Sequence, residues 1–182
     1  SEHSKDWCRR LVLVLAEKVP EVTIISGLAY GIGVVAHKAS IEAGIPTIII
    51  PAHGLDRIYP SVHRSVAVKS LEKGGILTEY IHGTEPERHH FVARNRIIAG
   101  MADAVVVVES KARGGSLITA QMAQDYSRDV FALPGRFNDI QSEGCNNLIK
   151  QQRAQLITSA QDLIQAMQWQ TEQKQPTQTS MT

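Results

Sequence analysis

A glycine-rich stretch, SGLAYGIG at positions 26–33, follows a short run of β-branched residues. Glycines at positions 27, 31 and 33 permit a sharp turn and let the backbone approach a ligand closely. A helix that starts after such a turn presents free N–H groups where its dipole favours an anion. The spacing differs from the GxGxxG dinucleotide fingerprint. From these residues alone, an anion-binding loop and a ligand-free strand-to-helix turn are equally good interpretations.

A basic segment from Arg88 to Arg96 also contains two histidines, Phe91 and Asn95. Arg94 and Arg96 carry planar guanidinium groups that match phosphate, and an asparagine can bond a base or a sugar. Phe91 and the histidines offer flat surfaces for stacking on unpaired bases. The alternative is a solvated basic face on which either arginine pairs with one of three acids, Glu79, Asp103 or Glu109.

Two adjacent glycines occur in a later loop, SKARGGSLIT at positions 110–119. Gly115 allows close backbone approach, and Ser116 is predicted to cap the helix that follows. Lys111 and Arg113 add positive charge at the rim. A capped helix start with solvent-exposed basic residues is the alternative. Because the two loops follow strands that we expect to be neighbours, we predict one shared basic cleft.

A third loop begins at Pro134 and follows the next predicted strand. Arg136 and Asn138 would extend the same cleft, but a plain turn is the better interpretation of these residues.

The other reactive side chains form no recognisable catalytic set. His37 lies inside a predicted helix and is interpreted as a core residue, Asp56 as a loop tie, and Cys145 as a packing residue. No Walker lysine motif, catalytic dyad or carboxylate pair is present. The cysteines lack zinc spacing, and the adjacent His89 and His90 would point about 100° apart on a helix. We therefore predict no catalytic residue, no metal and no cofactor.

Short apolar runs that alternate with helical stretches predict the scaffold that positions these loops. The 182 residues are 43% hydrophobic with a net charge of +1, which suits one domain with a full core. Most runs are apolar at every position, as strands are when both sheet faces are covered. The predicted strands are Val22–Ser26, Thr47–Ile50, Ile76–Thr78, Ala104–Glu109, Val130–Leu133 and Gln155–Ile157. The predicted helices are Lys5–Lys18, Gly31–Ala43, Val62–Lys73, Phe91–Met101, Ser116–Tyr126, Asn146–Gln151 and Ser159–Gln168.

This order predicts an α/β fold, a doubly wound and mostly parallel sheet with helices on both faces. Residues 169–182 are rich in Gln and Thr and are predicted to form a disordered linker or tail. The sequence has no apolar run of membrane-spanning length, and we predict no signal peptide. We therefore expect a cytoplasmic protein with reduced thiols and no membrane partner.

Six motifs, in order along residues 6–164, resemble the DNA-processing protein A (DprA/Smf) family. SGLAYGIG followed by Ala36-His37 stands where that family carries SGLARGID followed by AH. The further motifs are Gly54-Leu55-Asp56 with Tyr59-Pro60, RNRIIAG at 94–100, GSLITA at 115–120, Pro134-Gly135, and Gly144-Cys145-Asn146 with Leu148-Ile149. The chain departs from the family at Tyr30, usually arginine, and at Gly33, usually aspartate. It also has no counterpart of the family's preceding strand with a VGTR-like motif.

The resemblance implies a Rossmann-like domain over residues 1–168, N-terminally incomplete for want of that strand. It implies a protein that is not an enzyme and that binds single-stranded DNA with little sequence preference. The implied role is in DNA uptake, natural transformation and recombination, by loading a RecA-type recombinase, and the implied assembly is a homodimer. The predicted DNA-binding residues are Ser26, Gly27, Tyr30, Gly31, Arg94, Asn95, Arg96, Lys111, Arg113, Gly115, Ser116 and Thr119.

Two alternatives remain open. One is a nucleotide-binding enzyme similar to the Lonely Guy phosphoribohydrolases, although Gln121 stands where their PGGxGTxxE loop has its catalytic glutamate. The other is an interaction domain that self-associates through the apolar face of the last helix, formed by Leu163, Ile164 and Met167. Packing of that face on the chain's own sheet is the simpler interpretation.

Overall fold

The computed structural model describes residues 1–171 as alternating helices and strands. The helices are α1 Glu2–Lys18, α2 Ile32–Ala43, α3 Arg64–Ser70, α4 Arg88–Met101, α5 Gly115–Asp125, α6 Glu143–Lys150 and α7 Ala160–Met167. The strands are β1 Ile24–Ser26, β2 Thr47–Ile49, β3 Gly75–Ile76, β4 Ala104–Val107, β5 Asp129–Ala132 and β6 Gln155–Leu156. A 3-10 turn, Ser61–His63, precedes α3. The predicted α/β fold is confirmed, and no helix among these residues is long and apolar enough to cross a membrane.

The strands form two parallel half-sheets, in the orders β1-β2-β3 and β4-β5-β6. Ile25 pairs with Ile48 in the first half-sheet, and Val106 pairs with Phe131 in the second. The expectation that the strands before the two glycine loops are neighbours is wrong. No strand pairing joins β1 to β4 within the described residues, and a cleft of about 600 Å³ lies between them.

Helices cover both faces of the second half-sheet, which explains its continuous apolar runs. Val130 and Ala132 face one core with residues of α4, α5 and α6, whereas Phe131 faces another with Leu11 of α1 and Leu163 of α7. Successive residues of a strand point to opposite faces, so each must be apolar when both faces are packed. The two helical layers thereby fix the end of β4 from which the second glycine loop projects.

Helix α7 is part of this core. Leu163 and Ile164 are buried, and Met167 packs against the same cluster as Phe131. The apolar face of this helix, one candidate surface for self-association, therefore packs on the chain's own sheet. Trp169, the first residue assigned to the tail, also packs against this cluster and donates its backbone N–H to the Ile164 carbonyl. The rest of the predicted tail, residues 172–182, lies outside the described residues.

Candidate nucleic-acid interface

A cavity of about 630 Å³ opens where β1 and β4 end. Eleven of the twelve predicted site residues line it, although they come from three separate segments of the chain. Those residues are Ser26, Gly27, Tyr30, Gly31, Arg94, Asn95, Lys111, Arg113, Gly115, Ser116 and Thr119. The two glycine loops and the middle of α4 thus form one pocket, as the sequence predicted, even though β1 and β4 are not paired.

Arg94 forms the floor of this cavity and is only 6% exposed. Its Nη1 donates to the Ile50 carbonyl at 2.5 Å, and its Nε donates to Asn95 Oδ1 at 3.1 Å. Burial lowers the pKa of Arg94 to about 10, so the guanidinium remains charged at neutral pH. Among residues 1–171, no carboxylate pairs with it. A buried cation without a counterion, beside a cavity, favours an incoming anion.

Gly27 lets the Arg94 guanidinium lie against the first loop. A Cβ at position 27 would stand 2.5 Å from Nη1 and 2.7 Å from Cζ of Arg94. Gly31 ends the same loop with a φ of 95°, in the region that favours glycine, and α2 begins at the next residue. The loop therefore needs glycine at 27 for space and at 31 for backbone conformation.

His37 contacts the backbone of the first loop from within the core. The ring is fully buried, with Nδ1 2.7 Å from Thr47 Oγ1 and Nε2 3.3 Å from the Gly27 carbonyl oxygen. Burial lowers the pKa of His37 to about 4, so the ring is neutral at physiological pH. This confirms its interpretation as a core residue. Gly33 packs against the same carbonyl, since a Cβ there would lie 2.7 Å from the Gly27 oxygen.

Aromatic rings flank the cavity mouth. Tyr30 is 72% exposed and contacts His63 edge to face, with ring centroids 5.3 Å apart. Phe91 also lines the cavity; its ring lies 5.5 Å from Arg94 Cζ and contacts Tyr59. An exposed ring beside a cationic pocket has the arrangement that stacks on unpaired bases.

The second glycine loop supplies the opposite wall. The prediction that Ser116 caps the helix is wrong: α5 begins at Gly115, its N-cap is the extended Gly114, and no side chain caps it. Ser116 therefore lies within the first turn, where backbone N–H groups lack intrahelical acceptors. Gly114 is close-packed, because a Cβ there would overlap Ser110 Oγ. Lys111 and Arg113 are exposed at the rim of the cavity.

Glu109 is the acid in the cavity wall. Burial acts to raise the pKa of its carboxyl, but hydrogen bonds from the Ser1 ammonium, Ser4 and the Ser1 hydroxyl outweigh it and lower the pKa. The carboxylate is therefore ionised, and the Ser1 ammonium 2.7 Å away compensates its charge. The anion-attracting part of the cavity lies toward Arg94, Gly27 and the α5 N-terminus.

Arg96, the twelfth predicted residue, lies outside the cavity lining. It forms a short ion pair with Glu79, one of the three acids predicted as alternative partners. One helical residue is turned about 100° from the next, so Arg94 and Arg96 point to different sides of α4. Any DNA contact by Arg96 would have to compete with this ion pair.

The remaining reactive residues have structural partners. Asp56 accepts hydrogen bonds from Arg57 and from the Gly83 N–H, which confirms its role as a loop tie. Cys145 is buried with Sγ 3.4 Å from the Val107 carbonyl oxygen, which confirms it as a packing residue.

One group could hold a metal ion, although the sequence predicts none. Glu87, His89 and His90 place ligand atoms within 4.8 Å of one another. The centroids of the two rings lie 4.3 Å apart in the first turn of α4. The rings are therefore in contact, although adjacent helical residues were expected to point about 100° apart. Their donor chemistry suits a transition metal, but Nδ1 of His90 already lies 2.9 Å from the Glu85 carbonyl oxygen.

Two residues that contribute to the cavity were not predicted from the sequence. The Ile50 carbonyl orients Arg94 from 44 residues away, and no local pattern marks such a contact. Gln141 lines the cavity, and its carbonyl accepts the Ser110 N–H. The length of the loop after β5 was the available signal for Gln141, since long loops at this sheet edge commonly carry function.

Comparison with known proteins gives a consistent family match. The family described as DNA recombination-mediator protein A matches residues 1–168. DNA processing protein DprA of Streptococcus pneumoniae is 42% identical over 161 residues, covering 88% of this chain and 57% of the relative. Protein Smf of Escherichia coli is 41% identical over 170 residues, covering 93% and 45%. The chain thus spans about half the length of these curated relatives.

Two solved structures share the fold. The X-ray structure of the S. pneumoniae DprA superposes with a TM-score of 0.82 at 40% identity, covering 91% of this chain and 57% of that one. The DNA processing protein A of Helicobacter pylori superposes with a TM-score of 0.81 at 31% identity, covering 92% and 75%. The latter structure is described as giving insight into that protein's single-stranded DNA binding mode.

Proposed function

The chain belongs to the DNA recombination-mediator protein A family, and on this basis we propose that its cavity binds single-stranded DNA. The DNA is held through its phosphates, with little sequence preference. The binding mode named for the H. pylori relative supports this proposal, because that protein shares the fold at 31% identity.

The observation that carries the proposal is Arg94. Its guanidinium is charged, buried and without a carboxylate partner among residues 1–171, and it lies at the floor of an open cavity. A phosphate oxygen would supply the missing counterion. The first turns of α2 and α5 border the same cavity, and their free N–H groups and dipoles also favour an anion. Rim charge from Lys111 and Arg113 would attract the neighbouring phosphates.

Family membership also supports a wider role. We propose that the DNA-bound protein loads a RecA-type recombinase during DNA uptake and recombination, that it acts as a homodimer in the cytoplasm, and that it is not an enzyme. Sedimentation velocity would test the dimer, with a single monomeric species as the contrary result. Recombinase filament formation on DNA precoated with a single-strand-binding protein would test loading, and no acceleration by this protein would contradict it.

The phosphoribohydrolase alternative gains no support from the family matches. Gln121, at the position of that enzyme's catalytic glutamate, points along α5 to Asp125 and Arg153. Release of ribose 5-phosphate from AMP or a cytokinin nucleotide would favour this enzyme over the proposed DNA-binding protein.

Fluorescence anisotropy with a labelled oligo-dT of about 20 nucleotides, longer than common single-strand site sizes, tests DNA binding. Affinity should fall with salt, with a log–log slope of about −0.7 per phosphate neutralised. Arg94→Ala should weaken binding and reduce the slope by about 0.7. Lys69→Ala is the matched control, because Lys69 is an exposed cation in the last turn of α3, at the opposite end of the strands.

Arg94→Ala leaves the Ile50 carbonyl without its donor, so folding must be checked by circular dichroism. Arg94→Lys serves as a second variant that keeps the charge but loses the planar fork. The proposal fails if the folded parent shows no saturable binding at low salt, or if both Arg94 variants bind as the parent does.

A further inference from the structure

The loop between β5 and α6 carries an unexplained aromatic residue. Phe137 is 98% exposed, which makes it the most exposed of the large hydrophobic side chains in the described residues. An isolated exposed apolar residue needs no explanation on a loose loop. This loop, however, is extensively hydrogen-bonded, so the ring is held in solvent by the fold.

Hydrogen bonds fix the loop at both ends. Asn146 grips Gly135 twice, since its Oδ1 accepts the Gly135 N–H at 3.0 Å and its Nδ2 donates to the Gly135 carbonyl at 3.1 Å. Asp139 accepts the Gln141 N–H at 3.0 Å and the Ser142 hydroxyl at 2.8 Å. These bonds enclose Phe137 between two anchored points, which lowers the entropy lost when the ring meets a partner.

The same loop is continuous with the wall of the cavity. Ser110, which precedes the rim residue Lys111, donates its N–H to the Gln141 carbonyl, and its own carbonyl accepts the Gly144 N–H. Gln141 lines the cavity. Phe137 is four residues from it, so the two Cα atoms are at most about 14 Å apart. This upper bound brings the ring within reach of a strand that leaves the cavity over Lys111.

The charged side chains around Phe137 are two cations and two acids, and one of the acids is engaged within the loop. Arg136 precedes it, and both Arg136 and Lys111 are exposed. The acids are Asp139 on this loop and Glu143, which is exposed at the start of α6. Hydrogen bonds from Ser142 and the Gln141 N–H lower the pKa of Asp139, and both of its oxygens are engaged within the loop. Ile140 is also exposed, but the immediate neighbours of Phe137 are Arg136 and Asn138, which suit a phosphate and a base better than an apolar protein surface.

We propose that Phe137 is a stacking platform for one base of the bound strand, placed beyond the phosphate-binding cavity. This inference rests on the proposed function and extends it to a second contact. Stacking of this kind tolerates every base, because each presents a π-face. The loop would thus lengthen the DNA site without adding sequence preference.

The test compares Phe137→Ala, Phe137→Trp and the parent in the oligo-dT anisotropy assay. Phe137→Ala should weaken affinity by about 5- to 150-fold, the range for loss of one stacked base. Its salt slope should stay that of the parent, because stacking releases no counterions. Phe137→Trp should restore affinity, and its indole emission, after subtraction of the parent signal, should be quenched by oligo-dT.

Leu71→Ala is the control, because Leu71 is likewise an exposed apolar side chain but lies at the C-terminal end of α3, away from the cavity. It should leave affinity unchanged. If Phe137→Ala matches the parent while Arg94→Ala still weakens binding, this inference is wrong and the proposed function stands. If the parent itself does not bind, both fail. If Phe137→Ala changes the sedimentation coefficient but not DNA affinity, the ring serves contact between copies of the chain, and the stacking proposal is overturned.

Discussion

Replacing Gly27 with alanine tests whether Arg94 must lie flat against the first loop. The new Cβ would stand 2.5 Å from Arg94 Nη1, whereas ordinary contact requires about 3.5 Å. The guanidinium must therefore retreat by about 1 Å, and a retreat directly away from the Ile50 carbonyl would lengthen its 2.5 Å bond to about 3.5 Å, the limit of a hydrogen bond. Gly27 does not have a positive φ, so the backbone itself accepts alanine.

The expected consequence is weaker DNA binding. A charge-assisted hydrogen bond contributes about 1.5–3 kcal/mol, so loss of the Arg94 contact should raise the Kd for oligo-dT by about 10- to 150-fold. The log–log salt slope should become less steep by about 0.7. Anisotropy titrations at several salt concentrations measure both quantities.

Gly75→Ala provides the matched control. Gly75 lies in β3 without a positive φ, and a Cβ added there would meet no atom within 4 Å, so the substitution should leave Kd and slope unchanged. Parental affinity and slope in folded Gly27→Ala would refute the reasoning, because the guanidinium would then not be the group that contacts phosphate.

Three further predictions concern residues outside that contact. Arg96→Ala should weaken oligo-dT binding far less than Arg94→Ala, because Arg96 already pairs with Glu79; an equal loss in the anisotropy assay would restore Arg96 to the site. His37 has a pKa of about 4 in the folded chain against an ordinary value of 6.5, so the stability it supports is present above about pH 6.5 and is lost as pH falls toward 4. The loss should reach about 3 kcal/mol in urea unfolding and shrink in His37→Gln; a parental pH profile in that variant would contradict it. Burial raises the pKa of both Cys8 and Cys145 to about 11, so iodoacetamide should label neither near pH 8 until the chain unfolds, and rapid labelling of the native protein would contradict their burial.

Much of the fold was predictable because both sheet faces are packed. Val105, Val106 and Val107 face alternate cores, and such a requirement leaves a continuous apolar run in the sequence. The separation of β1 from β4 was not predictable from these runs. Strand order depends on contacts between residues far apart in the chain, and apolar composition is the same at a paired and an unpaired edge.

The sequence predicted which residues line the cavity better than it predicted their contacts. Gly27 and Gly31 were identified because close approach and a positive φ require glycine there, whereas a Cβ at Gly115 would meet no atom within 4 Å. Ser116 was misassigned as a cap because Gly114, with an extended backbone and no side chain, takes the N-cap position one residue before the helix starts. Arg94 lines the cavity and bonds the Ile50 carbonyl, whereas Arg96 pairs with Glu79 outside it. Only the folded chain brings these partners near the two arginines.

A crystal structure of this chain with a short oligo-dT is the most direct test of the account. We predict a phosphate oxygen within hydrogen-bond distance of the Arg94 guanidinium, a second phosphate near the N-terminus of α5, and bases turned outward toward Tyr30 or Phe137. A strand bound elsewhere, with the Arg94 cavity free of phosphate, would contradict the central claim.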